Sequence, residues 1–246
     1  CRRASCFGKE WKLTGKCLDK GGTIGGFILC AFVELYKETA EKPYLEMAEK
    51  ALRLYVERDL NGFFCTAGAL DTTCIDKETS IPLIFSSVEL YAITGKPVYL
   101  EYARKASYYF TSWMYQYNAL YPADSDFERF GFSTLGGTAV SAQHHHIDAY
   151  GVMAVPSLLR LAEITGDDLW RQRAKALYDN TTQCISDGKT PIRGKIRPFG
   201  GQNEGFLHCN WSMERGSLND WLVAWPSSFR LYALSEADMD ALRLRK

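Results

Sequence analysis

The sequence predicts an all-α chain of tandem helical hairpins, closing into an (α/α) toroid or forming part of one. Three observations predict it: a repeated motif, an alternation of two helix types, and long insertions that recur at one place in the unit. Residues 33–48, opening Val33-Glu34-Leu35-Tyr36 and closing Tyr44-Leu45-Glu46-Met47-Ala48, recur as 88–103, from Val88-Glu89-Leu90-Tyr91 to Tyr99-Leu100-Glu101-Tyr102-Ala103. A third copy runs from Leu159 through Thr165-Gly166-Asp167 to Trp170 and Ala174. A fourth begins Trp225-Pro226-Ser227-Ser228, echoing Val155-Pro156-Ser157-Leu158, and Cys17-Leu18-Asp19-Lys20 answers Cys74-Ile75-Asp76-Lys77 upstream. Repetition at this length marks a repeat architecture.

Each unit reads as helix, tight turn, helix. The first helices, expected over 24–36, 81–93, 150–164 and 221–234, are nearly all apolar, as a helix buried on every side must be. The turns carry Gly or Pro, as in Thr94-Gly95-Lys96-Pro97 and Thr165-Gly166-Asp167, which is chemistry that stops one helix and starts the next. The second helices are amphipathic: Leu45, Ala48, Ala51, Leu52 and Tyr55 share one face, while Glu46, Glu49, Lys50 and Arg53 lie mostly opposite. Long insertions over 61–80, 116–143 and 186–219 each join an outer helix to the next inner one, so they gather on one face, where function usually sits. One domain over 1–246, of about four hairpins, is expected.

Composition narrows the function classes. Lys plus Arg is 29 and Asp plus Glu is 29, so there is no general basic field for a phosphate backbone, and nucleic acid is not expected as a partner. No apolar run approaches the roughly 18 residues of a membrane span. The eight cysteines, at 1, 6, 17, 30, 65, 74, 184 and 209, form no C-x-x-C pair and match no zinc spacing, so most are expected as free thiols. No metal and no cofactor is expected. The compartment stays open between bacterial cytoplasm and a secreted or periplasmic site.

The motif L-Y-x-x-T-G-x-x-x-Y-L-x-x-A over 90–103, the inner and outer alternation and the one-sided loops resemble the six-hairpin toroid superfamily of glycoside hydrolases and polysaccharide lyases. The resemblance covers most of the chain at the level of fold and carries over no catalytic residue. A closed ring implies six hairpins against the four or so counted, so either further hairpins are expected upstream of Cys1 or the ring is incomplete.

Inner helices begin on the loop-bearing face, so four segments there are candidates for chemistry. In Asp71-Thr72-Thr73-Cys74-Ile75-Asp76-Lys77-Glu78-Thr79, Asp76 reads first as an N-cap with Thr79 three residues on and Glu78 in the first turn. Asp19 in the matching place supports that architectural reading; catalysis by Asp76 and Glu78 is the alternative. Ser141-Ala142-Gln143-His144-His145-His146-Ile147-Asp148-Ala149-Tyr150 holds three of the four histidines. Three consecutive helical residues point about 100° apart and cannot serve one metal, whereas His144 and Asp148, four apart, would share a helix face.

The third segment runs from Gly200-Gly201-Gln202-Asn203-Glu204 through His208 and Trp211 to Arg215, Asp220 and Trp221. Trp faces suit the apolar faces of sugar rings, and the surrounding amides, carboxylates and Arg suit hydroxyls; a loop that merely plugs the core is the alternative. The fourth, Asp124-Ser125-Asp126-Phe127-Glu128-Arg129, reads as an exposed acidic turn.

The leading expectation is hydrolysis of a glycosidic bond in an oligosaccharide or polysaccharide, with Asp148 and Glu204 ahead of Asp76 and Glu78 as the carboxyl pair. Gln143, His144, His145, His146, Tyr150, Trp211, Arg215, Asp220 and Trp221 would hold the sugar. A polysaccharide lyase using His145 or His146 with Tyr150 and Arg215 is the second reading. A helical scaffold that binds without turnover is the third.

Overall fold

The computed structural model describes residues 7–144, 146–202, 205–206, 215–218 and 223–237. They fall into two compact units, one of residues 1–112 with 141–143, the other of 113–140 with 144–246, and each is described by itself.

The first unit opens with a short antiparallel pair, β1 (Glu10–Trp11) and β2 (Cys17–Asp19). Two hairpins follow: α1 (Gly26–Thr39) with α2 (Lys42–Arg58), and α3 (Ile81–Thr94) with α4 (Pro97–Thr111). The apolar face predicted for α2 is the one buried, at Ala48, Ala51, Leu52 and Tyr55. Of the inner helices, α3 is buried through most of its length, including Leu83, Ile84, Val88 and Leu90. Helix α1 is buried only at Gly26, Leu29 and Val33, the face toward α2 and α3, and exposes Ile28 and Leu35, so enclosure on every side holds for α3 alone of this pair. A three-sided network ties the start of α1 to the end of α2. Asp59, buried, accepts from Thr23 Oγ1 at 2.7 Å and from Arg58 Nε at 2.6 Å, while Arg58 also donates to the Gly22 carbonyl.

The second unit contains the four-residue helix α5 (Asp126–Arg129), the hairpin α6 (Val155–Thr165) and α7 (Asp168–Thr181), and α8 (Trp225–Glu236). A three-stranded antiparallel sheet runs β3 (Thr138–Ala139), β4 (Ile147–Asp148), then the last strand among the described residues, Gly205–Phe206. Between them in sequence lies the hairpin β5 (Pro191–Ile192) with β6 (Lys195–Ile196), which makes Gly205–Phe206 β7. Ile147 packs in an apolar cluster with Phe127, Phe132, Ile192 and Leu218.

The third and fourth inner helices begin later than their apolar runs. Residues Tyr150–Ala154 form a 3-10 helix, and α6 starts only at Val155; α8 starts at Trp225 rather than at 221. Pro156 and Pro226 explain the shift. Proline lacks an N–H and fits the first helical turn, where that group has no intrahelical partner, so it fixes the start beside itself. Among the described residues no helix is long and apolar enough to cross a membrane.

Candidate functional site

The carboxylate of Asp76 is built into the first unit by local and non-local donors. Oδ1 accepts from the Thr79 N–H at 3.2 Å and from Thr79 Oγ1 at 3.3 Å, the cap legible in the sequence. Oδ2 accepts from Gly68 N–H at 2.6 Å and Ala69 N–H at 3.2 Å, which the sequence did not announce. A Cβ at Gly68 would lie 2.8 Å from Glu78 Cβ and 2.9 Å from Asp76 Oδ1, so only glycine lets the backbone come this close. Asp76 is fully buried, and that burial raises its pKa against the pull of the donors. Lys77, also fully buried, and Glu78, 8 % exposed, continue the string; sequence reasoning passed over Lys77, although lysine is rarely so enclosed. Residues 75–76 in turn pair with the segment before the histidines, through the bridge Asp76 to Ser141 and the bond from Ala142 N–H to the Ile75 carbonyl at 2.9 Å.

In the second unit Asp148 lies on the middle strand of the three-stranded sheet. Its Cα partners are Thr138 on β3 and Gly205 on β7, with Phe206 opposite Ile147. The carboxylate is 6 % exposed and accepts from the Tyr150 N–H at 3.1 Å and, more distantly, from Thr138 Oγ1 at 3.4 Å. Asp148 therefore lies on a strand, Ile147–Asp148, rather than on a helix, and a shared helix face for His144 and Asp148 does not exist. Cross-strand pairing to residues far away in sequence overrides the local spacing. His144 is exposed and His146 half-buried, with ring centroids 5.4 Å apart at 86°.

The glycine-rich loop is held at both ends. Before it, buried Gln202 donates through Nε2 to the Thr181 carbonyl at 2.7 Å and the Gln183 carbonyl at 3.1 Å, at the end of α7. After it, Leu218 N–H donates to Asp126 Oδ2 at 2.9 Å, and the Gly216 carbonyl accepts from Phe127 N–H at 2.8 Å. The acidic turn at 124–129 is thus a clasp: Ser125 caps α5, and Asp126 points a carboxylate at the returning loop. Arg215 is exposed in the turn just before the clasp, and Gln143 is exposed as well. His145, Glu204, Trp211, Asp220 and Trp221 lie outside the described residues.

Two aromatic residues that sequence reasoning left out of the site meet Tyr150. Its ring centroid lies 5.9 Å from Trp225 and 4.9 Å from Phe229, and those two lie 5.5 Å apart. The available signal was the i, i+4 spacing of Trp225 and Phe229 at the start of an inner helix. A cavity of about 380 Å³ in the same unit is lined by Phe130, Phe132, Cys184, Ser186, Ile192 and neighbours, and by none of the predicted residues. Burial pushes the Cys184 thiol up to about 12, which keeps it protonated and removes it as a nucleophile. The five described cysteines, 17, 30, 65, 74 and 184, are free thiols. Among the described residues no group of three or more His, Cys, Asp or Glu side chains is arranged to hold a metal ion.

No family model matches the chain, and no curated protein matches it in sequence. Solved structures do. A glycoside hydrolase family 76 mannosidase from Bacteroides thetaiotaomicron VPI-5482 aligns at 16% identity over 94% of this chain and 56% of its own, with a TM-score of 0.55. The unsaturated glucuronyl hydrolase of Bacillus sp. GL1 aligns at 14% over 95% of this chain and 63% of its own, with a TM-score of 0.56. Cellobiose 2-epimerase from Spirochaeta thermophila DSM 6192 aligns at 12% over 92% and 55%, with a TM-score of 0.58. The fold of this chain is the all-α, tandem-hairpin fold of these (α/α)-toroid enzymes. The chain spans 55% to 63% of the length of the three structures.

Proposed function

We propose that the chain is a carbohydrate-active enzyme that hydrolyses a glycosidic bond in an oligosaccharide or polysaccharide, with Asp148 and Glu204 as its carboxyl pair. The observation that carries this reading is the pairing of β4 with β7. It joins the histidine-rich segment to the glycine-rich loop, with Gly205 opposite Asp148 and Glu204 the residue before Gly205 in sequence. The kinship in fold with two glycoside hydrolases and a sugar epimerase supports a carbohydrate substrate.

Glycoside hydrolysis needs one carboxylic acid to protonate the leaving oxygen and one carboxylate to activate water or attack the sugar. Asp148 accepts from a backbone N–H and a hydroxyl, which suits the carboxylate role, and Glu204 is the acid. Gln143, His144, His145, His146, Tyr150, Trp211, Arg215, Asp220 and Trp221 are the proposed sugar-holding set. Asp76 has both oxygens engaged by donors in its own unit, which suits the capping role, with Glu78 in the turn that follows.

The test is turnover on mannosides, unsaturated glucuronides and cello-oligosaccharides. Asp148→Asn and Glu204→Gln should each lower kcat by about 10²–10⁴ while circular dichroism stays that of the wild type. Wild-type turnover in both variants removes the pair. A base-catalysed reaction on the sugar, by His146 with Tyr150 and Arg215, is the second reading, favoured by the paired histidine rings just before β4. Deuterium entering the sugar from heavy water, or an unsaturated product absorbing in the ultraviolet, would decide for it.

A further inference from the structure

The Tyr150, Trp225 and Phe229 cluster has a feature that core aromatics of this chain lack. All three residues are half-buried, so each keeps some surface open to solvent. The comparison within the same unit is direct. Phe127 and Phe132 sit 4.2 Å apart at 1% and 8% exposure in the apolar cluster, and Trp170 of α7 is 1% exposed. The Tyr150 cluster is mutually edge-on or tilted, at 54°, 69° and 45°, so no ring face is covered flat by another member of the three.

The cluster is also attached to the proposed chemistry. Tyr150 follows Asp148 by two residues, and its N–H donates to Asp148 Oδ1 at 3.1 Å. The position of the ring and that of the carboxylate are therefore fixed by the same turn. Trp225 opens α8, where buried Pro226 sets the helix start, and Phe229 stands one turn further along on the same side. A partly open aromatic surface beside a buried carboxylate combines an apolar wall with a placed polar group, which is the composition of a saccharide pocket.

We propose that Tyr150, Trp225 and Phe229 form an aromatic wall that binds the apolar C–H face of a pyranose ring, with Trp225 as its principal contact. The proposal rests on the carbohydrate reading above and adds residues and a ligand face to it. It assigns to the wall the ring next to the bond that is cleaved, because Tyr150 shares its turn with Asp148.

The experiment uses the full chain and an array of short linear gluco-, manno- and glucurono-oligosaccharides, followed by titration calorimetry on those retained. Wild type and Asp148→Asn should bind the same oligosaccharide. Trp225→Ala should weaken it about tenfold or more, and Trp225→Phe, which keeps a ring, should stay within about threefold. On a substrate that is turned over, Trp225→Ala should raise KM while kcat changes by less than about threefold, the mark of binding lost equally before and during reaction. Should Trp225→Ala keep the wild-type fold by circular dichroism and bind as tightly as wild type, the wall is refuted while the carboxyl pair stands. Binding that depends on Trp225, with no turnover by wild type, leaves the wall and overturns the hydrolase. An array that retains no oligosaccharide overturns the wall as well.

Discussion

Asp76 shows how far a single residue can be read from its neighbours in sequence. Its cap on Thr79 is a pattern confined to four residues and is visible as such. The donors from Gly68 and Ala69 come from a loop whose path no local rule specifies, and they explain why position 68 is glycine. Gly68→Ala should cost about 1–3 kcal/mol, since the added methyl meets Asp76 and Glu78 closer than van der Waals contact allows. Chemical denaturation checks this, and an unchanged midpoint would refute it. The raised pKa of Asp76 gives a second prediction, with a definite sign. The folded chain holds a proton here that the unfolded chain releases above its ordinary 3.8, so the group's contribution is full below that value. It is lost as pH rises through the raised folded value. Asn cannot ionise, so the stability advantage of wild type over Asp76→Asn should shrink as pH rises above 3.8, read as the difference in melting temperature. Asp148 marks the opposite limit. Its residue type and company single it out in the sequence, whereas its strand pairing with 138 and 205 is invisible to helix spacing.

The helix-to-helix turns repeat one device three times, and the sequence displays it. Thr39, Thr94 and Thr165 each donate through Oγ1 to the carbonyl four residues back, at 2.7, 2.6 and 2.7 Å. Each also accepts the N–H two residues ahead, at 3.2, 3.3 and 3.2 Å. The residue between takes the left-handed conformation: Gly95 at φ 67, Gly166 at φ 69, and Ala40 at φ 56. Alanine pays a steric cost there that glycine does not. Ala40→Gly should therefore stabilise the chain by about 0.5–1 kcal/mol, net of the extra freedom glycine gains when unfolded, and raise the melting temperature by about 1–4 °C. Gly95→Ala and Gly166→Ala should each destabilise by about 1 kcal/mol from backbone conformation alone, since no atom lies within 4 Å of the added Cβ. A loss of melting temperature in Ala40→Gly would show that the left-handed turn is not the controlling feature. Helix identity and turn chemistry are thus legible because both are local, while helix starts are set by prolines at the second residue of α6 and α8 and by 3-10 turns at 78–80 and 150–154.

For the whole molecule, the repeat makes the fold class readable, whereas the candidate site depends on which loops pair, and those pairings link residues up to ninety-two positions apart, as from Asp126 to Leu218. Charge is the property of the whole chain that does transfer to function without knowing those pairings. With 29 basic and 29 acidic residues the net charge is zero, so the chain as a whole exerts no long-range pull on a charged substrate. Encounter with a neutral oligosaccharide then depends on diffusion and contact, and contacts to hydroxyls and C–H faces are little affected by screening. Raising sodium chloride from about 0.05 to 0.5 M shortens the Debye length from over 10 Å to under 5 Å, so it weakens any steering that operates over such distances. For a neutral substrate, kcat/KM across that range should change by less than about twofold. For a glucuronide of the same length a fall of tenfold would reveal a local basic patch that the balanced total conceals, and would shift the substrate assignment toward anionic glycans. Equal, flat responses for both would instead place discrimination in short-range contacts such as those proposed for Tyr150, Trp225 and Phe229.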